Sequence, residues 1–286
     1  MEMPAKGIRI LAPAKVNLTL EVLSKRADGY HEIQSLIQPI SLFDILWIET
    51  RPKGLEILCP KYPELENEDN LIIRAISLLE KEMAFPLSLS IRLIKKIPVG
   101  GGLGGGSSDA AAVLSGINLL LGKPIQQELL WALAAQIGSD VPFFLNRGTA
   151  LALGRGERLE PWTAFPSWWY VLIYPGFSIS TSWAYSQVKF PLTRGEKTIN
   201  IKWLKETGKV PGKDQFKNDL EEIVLLSFPI LKKIKKALLD QGCFQALMSG
   251  SGSTVFGIWK DKGKAIEAYI RLKNQGLGKI FLAKGL

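Results

Sequence analysis

Histidine occurs once in the 286 residues, at position 31, and cysteine only twice, at positions 59 and 243. A zinc site needs three or four such ligands at close spacing, and these three residues cannot supply one. Two cysteines do not make a disulfide framework either, so both are expected as buried thiols. Long apolar runs are missing too: no stretch reaches the roughly 18 uncharged residues of a membrane-spanning helix. The first residues lack a signal-peptide core, because Lys6, Arg9 and Lys15 interrupt them. The expected compartment is the cytoplasm, with no membrane partner. Internal repeats, low-complexity tracts and nucleic-acid motifs are absent, so no nucleic-acid partner is expected. The net charge of +9 favours acidic partners. Its densest run, Lys232, Lys233, Lys235 and Lys236, sits on a helical pattern whose other face is Ile230, Leu231, Ile234 and Leu238, as in a solvated amphipathic helix.

Glycine, by contrast, is concentrated at one place. The run Pro98-Val99-Gly100-Gly101-Gly102-Leu103-Gly104-Gly105-Gly106-Ser107-Ser108-Asp109 follows Leu87–Leu93, where apolar and polar residues alternate as in a half-buried strand. It precedes Ala110-Ala111-Ala112-Val113-Leu114, a run of good helix formers. Strand, glycine loop and helix in that order make an anion site, most simply for phosphate: glycine admits close backbone approach, and the helix start offers unpaired N–H groups and a positive dipole end. No lysine follows the glycines, which excludes a P-loop. Gly100, Gly102 and Gly105 satisfy G-x-G-x-x-G, but a dinucleotide fold wants a strand buried on both faces. The protein-kinase loop lies between two strands, whereas a helix follows here. A flexible linker does not fit so tightly between two patterned elements.

Several other residues are open to two readings. Lys15 and Asn17 lie two apart in an extended stretch, so they face the same way; spacing alone reads Lys15 as a surface lysine on an edge strand broken at Pro13. Asp28-Gly29 marks a turn before Tyr30 and His31. A lone histidine is more often structural than functional. Asp140, ahead of Val141-Pro142, reads as a helix N-cap. Ser180-Thr181 caps a helix near Trp183–Val188, which contains Tyr185. Ser249-Gly250-Ser251-Gly252-Ser253 reads as a hairpin turn. Helices are expected at residues 71–82, 108–121 (stopped by Gly122 and Pro124), 126–136, 230–241 and 264–275, with a short helical pattern at 201–205. Past Pro161 the order is strand, helix, strand, strand, helix, strand, the ferredoxin-like order.

The glycine run resembles the second motif of the GHMP kinase family. Pro13-Ala14-Lys15-Val16-Asn17-Leu18 is similar to that family's first motif, and Leu247–Thr254 to its third. Gly138-Ser139-Asp140-Val141-Pro142-Phe143-Phe144 matches a further family pattern. Arg26-Ala27-Asp28-Gly29-Tyr30-His31 resembles the branch of the family that serves non-mevalonate isoprenoid synthesis and whose alcohol substrate carries a cytidyl group. The resemblance implies an α+β, two-domain fold. Residues 1–160 would form an N-terminal domain like the second domain of ribosomal protein S5, and 161–286 a ferredoxin-like C-terminal domain, with the active site in the cleft between them. It implies an ATP-dependent kinase in which residues 98–108 cradle the phosphates and Asp140 is the base. Lys15 would stabilise charge on the moving phosphoryl group. Mg2+ is the implied metal, with Ser107 or Ser108 as its hydroxyl ligand or the anchor of its water. Asn17, Tyr30, His31 and Tyr185 are the implied substrate-binding residues, with Tyr30 and Tyr185 sandwiching cytosine and His31 bonding its edge. A monomer or weak homodimer is expected. Two alternatives stand beside this reading: a kinase of another sugar or small alcohol on the same fold, which Tyr30-His31 argues against, and a nonenzymatic basic nucleic-acid-binding protein, which has no need of Lys15 and Asp140.

Overall fold

The computed structural model describes residues 7–122, 125–146, 148–188 and 206–286. The pattern expected at 201–205 and the helix stop at Pro124 lie outside them. The strands are β1 (Gly7–Asn17), β2 (Glu21–Lys25), β3 (His31–Thr50), β4 (Leu55–Leu58), β5 (Leu89–Ile94), β6 (Ala150–Gly154), β7 (Arg158–Pro161), β8 (Trp169–Tyr174), β9 (Gln245–Met248), β10 (Val255–Trp259) and β11 (Lys279–Lys284). The helices are α1 (Leu71–Met83), α2 (Gly105–Leu120), α3 (Gln127–Ile137), α4 (Val141–Leu145), α5 (Thr181–Ser186), α6 (Glu221–Ser227), α7 (Pro229–Asp240) and α8 (Lys262–Leu272).

The chain forms two compact units that are not consecutive in sequence. Among the described residues, one is drawn from the spans 1–14, 43–97 and 104–147, the other from 15–42, 98–103 and 148–286. In the first, β5 pairs antiparallel with the Ile45–Thr50 part of β3 and parallel with β4. Leu89, Ile91 and Leu93 point into the core, as the alternation predicts. There they meet Ile72, Ile76 and Leu79 of α1 and Val113, Leu114 and Ile117 of α2. Asn70 caps α1 by accepting the Ile72 N–H. Gly116 lets α2 approach the sheet, since a β-carbon there would stand 2.4 Å from Ile10 and 2.8 Å from Ile48.

In the second unit, β8, β9, β10 and β11 form an antiparallel sheet in the order β11-β8-β10-β9. That is the arrangement expected after residue 161. Leu231, Ile234 and Leu238 of α7 and Ala265, Ala268 and Leu272 of α8 are buried with Val171, Ile173 and Val255. The lysines of α7 occupy its other face. The same unit holds the Ile33–Ile37 part of β3, paired with β6, and the β2–β3 hairpin.

Two expectations change. Pro13 does not break the first strand: β1 runs through it to Asn17 and, among the described residues, pairs only with β3. A strand with one partner has an edge on which a missing N–H costs nothing. The glycine helix also starts earlier than residue 108, because Gly105 and Gly106 already belong to its first turn.

Candidate active site

The glycine loop alternates in hand. Gly100, Gly102 and Gly104 have φ of 66°, 76° and 70°, while Gly101 and Leu103 between them do not enter the left-handed region. Such alternation turns successive N–H groups toward one concave side, which suits an anion. Gly104 occupies the N-cap position of α2 and has no side chain with which to close the helix end. The first helical bond is Ser108 N–H to Gly104 C=O at 2.9 Å. The N–H groups of Gly105, Gly106 and Ser107 therefore lie ahead of the helical ladder, as at any helix start that suits an anion. Ser107 is half-buried. Ser108 is buried, and its hydroxyl has no hydrogen-bond partner among the described residues.

The loop is fixed from within the second unit. Lys15 N–H donates to Leu103 C=O at 3.0 Å, and Thr254 N–H to Gly101 C=O at 3.2 Å. Ser249 Oγ donates to Gly102 C=O at 2.9 Å and accepts from Asn17 N–H at 3.4 Å. The Ser249–Ser253 turn, within the third motif, thus packs beside the loop. The approach is close enough to exclude side chains: a β-carbon on Gly102 would stand 2.2 Å from the Ser249 carbonyl oxygen.

Lys15 is buried, which corrects the surface-lysine reading. Its ammonium donates to Asn17 Oδ1 at 2.6 Å, and Asn17 Nδ2 donates to Ser35 Oγ at 2.9 Å. Ser35 Oγ donates in turn to Thr19 C=O at 2.5 Å. This chain of bonds sets the direction of the lysine. The two-residue spacing foretold that Lys15 and Asn17 share a face, and the structure brings them into contact.

In the first unit, Asp140 opens α4, which packs against α2. It stands at the N-cap position, as expected, but its backbone is helical (φ −84°, ψ −13°) and its side chain makes no capping bond. Little needs capping there. Val141 N–H already donates to Gly138 C=O at 3.1 Å, and Pro142 has no N–H.

Sequence reasoning missed the ion cluster behind the start of α2. Lys95 is buried with Asp109, from the first turns of that helix, at 2.7 Å, and with Asp44 in still closer contact. Asp44 Oδ1 also accepts the N–H groups of Lys96 and Ile97 at 2.5 and 2.9 Å. Burial pushes the Asp109 carboxyl up to about 8, and the nearby Asp44 charge adds to this against the pull of Lys95. Burial alone would lower Lys95, but Asp109 and Asp44 hold it above its usual range. A β-carbon on Gly105 would lie 3.1 Å from the Lys95 ammonium, so the cluster lies directly against the first turn. The one available signal was a charged residue inside the apolar run Leu42-Phe43-Asp44-Ile45-Leu46, which demands a buried partner.

The aromatic residues gather elsewhere in the second unit. His31, the first residue of β3, stacks on Tyr185 of α5 with ring centroids 5.0 Å apart. Ser180 caps α5 by accepting the Trp183 N–H. Burial, then the Lys25 charge, lowers the His31 pKa and favours the neutral ring, which offers one donor and one acceptor. Tyr30 is 54% exposed, and the Arg155 guanidinium lies 4.8 Å from its ring centre. The structure therefore pairs His31, rather than Tyr30, with Tyr185. The turn itself is as expected: Arg26 N–H donates to Tyr30 C=O, and Asp28 accepts the Tyr30 N–H at 3.1 Å.

Comparison with known proteins adds the following. Residues 70–148 match the family described as GHMP kinases N terminal domain, and residues 203–277 match GHMP kinases C terminal. A 4-diphosphocytidyl-2-C-methyl-D-erythritol kinase of Syntrophus aciditrophicus is 40% identical over 280 residues, covering 98% of this chain and 99% of its own. One from Geobacter sp. (strain M21) is 42% identical over 262 residues, covering 91% and 92%. The crystal structure of a 4-(cytidine 5'-diphospho)-2C-methyl-D-erythritol kinase superposes with a TM-score of 0.82 at 37% identity, over 97% of this chain and 99% of that one.

Proposed function

The chain belongs to the 4-diphosphocytidyl-2-C-methyl-D-erythritol kinases of the GHMP kinase family, and on that premise we propose that it transfers the terminal phosphoryl group of ATP to the 2-hydroxyl of 4-diphosphocytidyl-2-C-methyl-D-erythritol. The step belongs to the non-mevalonate (methylerythritol phosphate) route to isoprenoid precursors. On this reading residues 1–160 carry the phosphate loop and residues 161–286 the ferredoxin-like part. The protein works in the cytoplasm as a monomer or weak homodimer. Among the described residues no helix is long and apolar enough to cross a membrane.

The observation that carries the kinase reading is the glycine loop, with left-handed backbone at every second residue, leading into a helix start that no side chain closes. Residues 98–108 would hold the triphosphate by backbone N–H groups, which costs no reorganisation as charge develops. Lys15 would stabilise negative charge on the attacking oxygen and the moving phosphoryl group, and Asp140 would accept the hydroxyl proton. Asn17 orients Lys15 and lies among the substrate-binding residues. Tyr30, His31 and Tyr185 would hold cytosine, with rings for stacking and a neutral imidazole to bond its edge.

Mg2+ fits this loop as a companion of the nucleotide. Among the described residues no group of three or more His, Cys, Asp or Glu side chains is placed to hold a metal, so the ion would arrive with the triphosphate. The unpartnered Ser108 hydroxyl and the half-buried Ser107 hydroxyl are the groups suited to meet it. When bound, the ion would neutralise charge on the phosphate oxygens.

The test is ATP consumption against a panel of small alcohols with and without a cytidine diphosphate group. Turnover confined to the cytidyl alcohol supports the reading. Equal turnover of homoserine, mevalonate or an alcohol lacking the cytidyl group would assign a different substrate.

A further inference from the structure

The segment Lys217–Glu221 carries no residue of the three motifs, yet it is bonded to the third of them and to the stretch that follows the first. On one side, Leu20 N–H donates to Lys217 C=O at 2.8 Å and Asp219 N–H to Leu20 C=O at 2.9 Å. Asp219 Oδ2 accepts the Val22 N–H at 2.8 Å. These bonds hold the stretch that continues from Lys15 and Asn17. On the other side, the Asn218 amide donates twice, to Met248 C=O at 2.9 Å and Gly250 C=O at 2.7 Å. Its own oxygen accepts the Leu220 N–H at 3.0 Å. Asn218 is buried, and Met248 N–H is held in turn by Glu221 Oε1 at 2.8 Å.

The peptide that Asn218 holds lies against the lysine. Gly250 has left-handed backbone, φ 57°. A β-carbon on it would stand 3.3 Å from Asn17 Oδ1, 3.4 Å from Gly102 C=O and 3.5 Å from the Lys15 ammonium. Its neighbour Ser249 bonds Gly102 C=O directly. Two carbonyl oxygens that converge on one buried point need a group with two donors and no charge, which a side-chain amide supplies. Aspartate in the same place would set a third oxygen against them, and leucine would leave both without a partner.

We propose that Asn218 is a positioning residue for phosphoryl transfer, acting through the Gly250 peptide on the Lys15 ammonium and through Ser249 on the Gly102 carbonyl. The inference rests on the reading of Lys15 as the lysine that stabilises charge in the transition state. It assigns Asn218 no contact with either substrate. Its loss should therefore appear in turnover rather than in binding.

The test is a double-mutant cycle read in steady-state kinetics, with active enzyme counted by ATP titration. Asn218→Asp should lower kcat by roughly 10- to 100-fold, the scale of a misplaced catalytic group, while KM for ATP and for the cytidyl alcohol changes by less than about threefold. Asn218→Ser, whose hydroxyl can still serve the Leu220 N–H but cannot span both carbonyls, should do the same and carries the measurement if the aspartate variant does not fold. In a Lys15→Met background either change should cost less than about twofold, because the group it positions is gone. An unchanged kcat, a loss confined to KM, or the same fold-loss in both backgrounds overturns the inference alone. Normal turnover by Lys15→Met itself overturns the reading of Lys15, and the inference falls with it.

Discussion

Replacing Gly102 by alanine tests whether the loop is a phosphate cradle. The added β-carbon would stand 2.2 Å from the Ser249 carbonyl oxygen and 2.7 Å from that of Gly252, and Gly102 has φ 76°. Both neighbours are backbone and cannot swing aside, so the Ser249 peptide or the loop must move by about 1 Å, and a shift of that size in a positioned site costs on the order of 100-fold in rate. Left-handed backbone at a non-glycine residue costs about 1–2 kcal/mol. The strained Ser249–Gly102 hydrogen bond adds about 0.5–1.5 kcal/mol. The sum, roughly 1.5–3.5 kcal/mol, corresponds to a fall in Tm of about 3–14 °C for a chain of this size. Gly54→Ala is the control, because Gly54 also has positive φ (77°) but a β-carbon there meets nothing within 4 Å. Calorimetric titration with ATP, beside thermal melts, should show Gly102→Ala binding ATP at least about tenfold more weakly and Gly54→Ala binding it normally. A lowered Tm with intact ATP affinity and turnover in Gly102→Ala would mean that the loop stabilises the fold without holding phosphate.

Three further outcomes are expected. Asp140→Asn should leave ATP affinity within about twofold and lower kcat by at least ~100-fold, the scale of a positioned acid–base group; normal turnover in a stopped-flow assay would remove Asp140 from the reaction. Tyr185→Ala should raise KM for the cytidyl alcohol by roughly 5- to 150-fold, the worth of one base–aromatic stack, and leave KM for ATP unchanged; a parallel rise in both would point to collapse of α5 instead. Burial holds the Asp109 carboxyl at about 8 in the folded chain against its ordinary value of 3.8, so the folded state keeps a proton that the unfolded state has lost between those values. Its contribution to stability therefore declines as pH rises through that window. Asp109→Asn should flatten the fall of Tm between pH 5 and pH 8, and an identical slope in both proteins would refute the assignment.

What could be read from the sequence was whatever depends on neighbours along the chain. The alternation of Leu89, Ile91 and Leu93 set the face of β5, and the spacing of Leu231, Ile234 and Leu238 set the face of α7. Glycine after glycine announced the loop, since only that residue tolerates φ of 66°, 76° and 70° at alternate positions. Long-range partners were hidden. Nothing local shows that Lys15 is buried, because the cost of burying an ammonium is met by Asn17, which is itself held by Ser35 eighteen residues away. Asp140 looked like a cap because the capping preference is statistical; Pro142 and the Gly138 carbonyl leave that helix end with little to cap. Nothing local sets Asn218 apart, and its amide serves Met248 and Gly250, 30 and 32 residues on. Asn218, Lys95 and Asp44 were missed for one reason: each meets a hydrogen-bonding demand raised by a distant part of the chain. Motifs record the groups placed to meet the ligand, whereas the groups that hold them still are fixed by three-dimensional accounting of buried donors and acceptors. In a kinase whose catalysis is mostly positioning and electrostatics, that second set should control turnover nearly as strongly as the first, as the coupled loss expected for Asn218 and Lys15 would show.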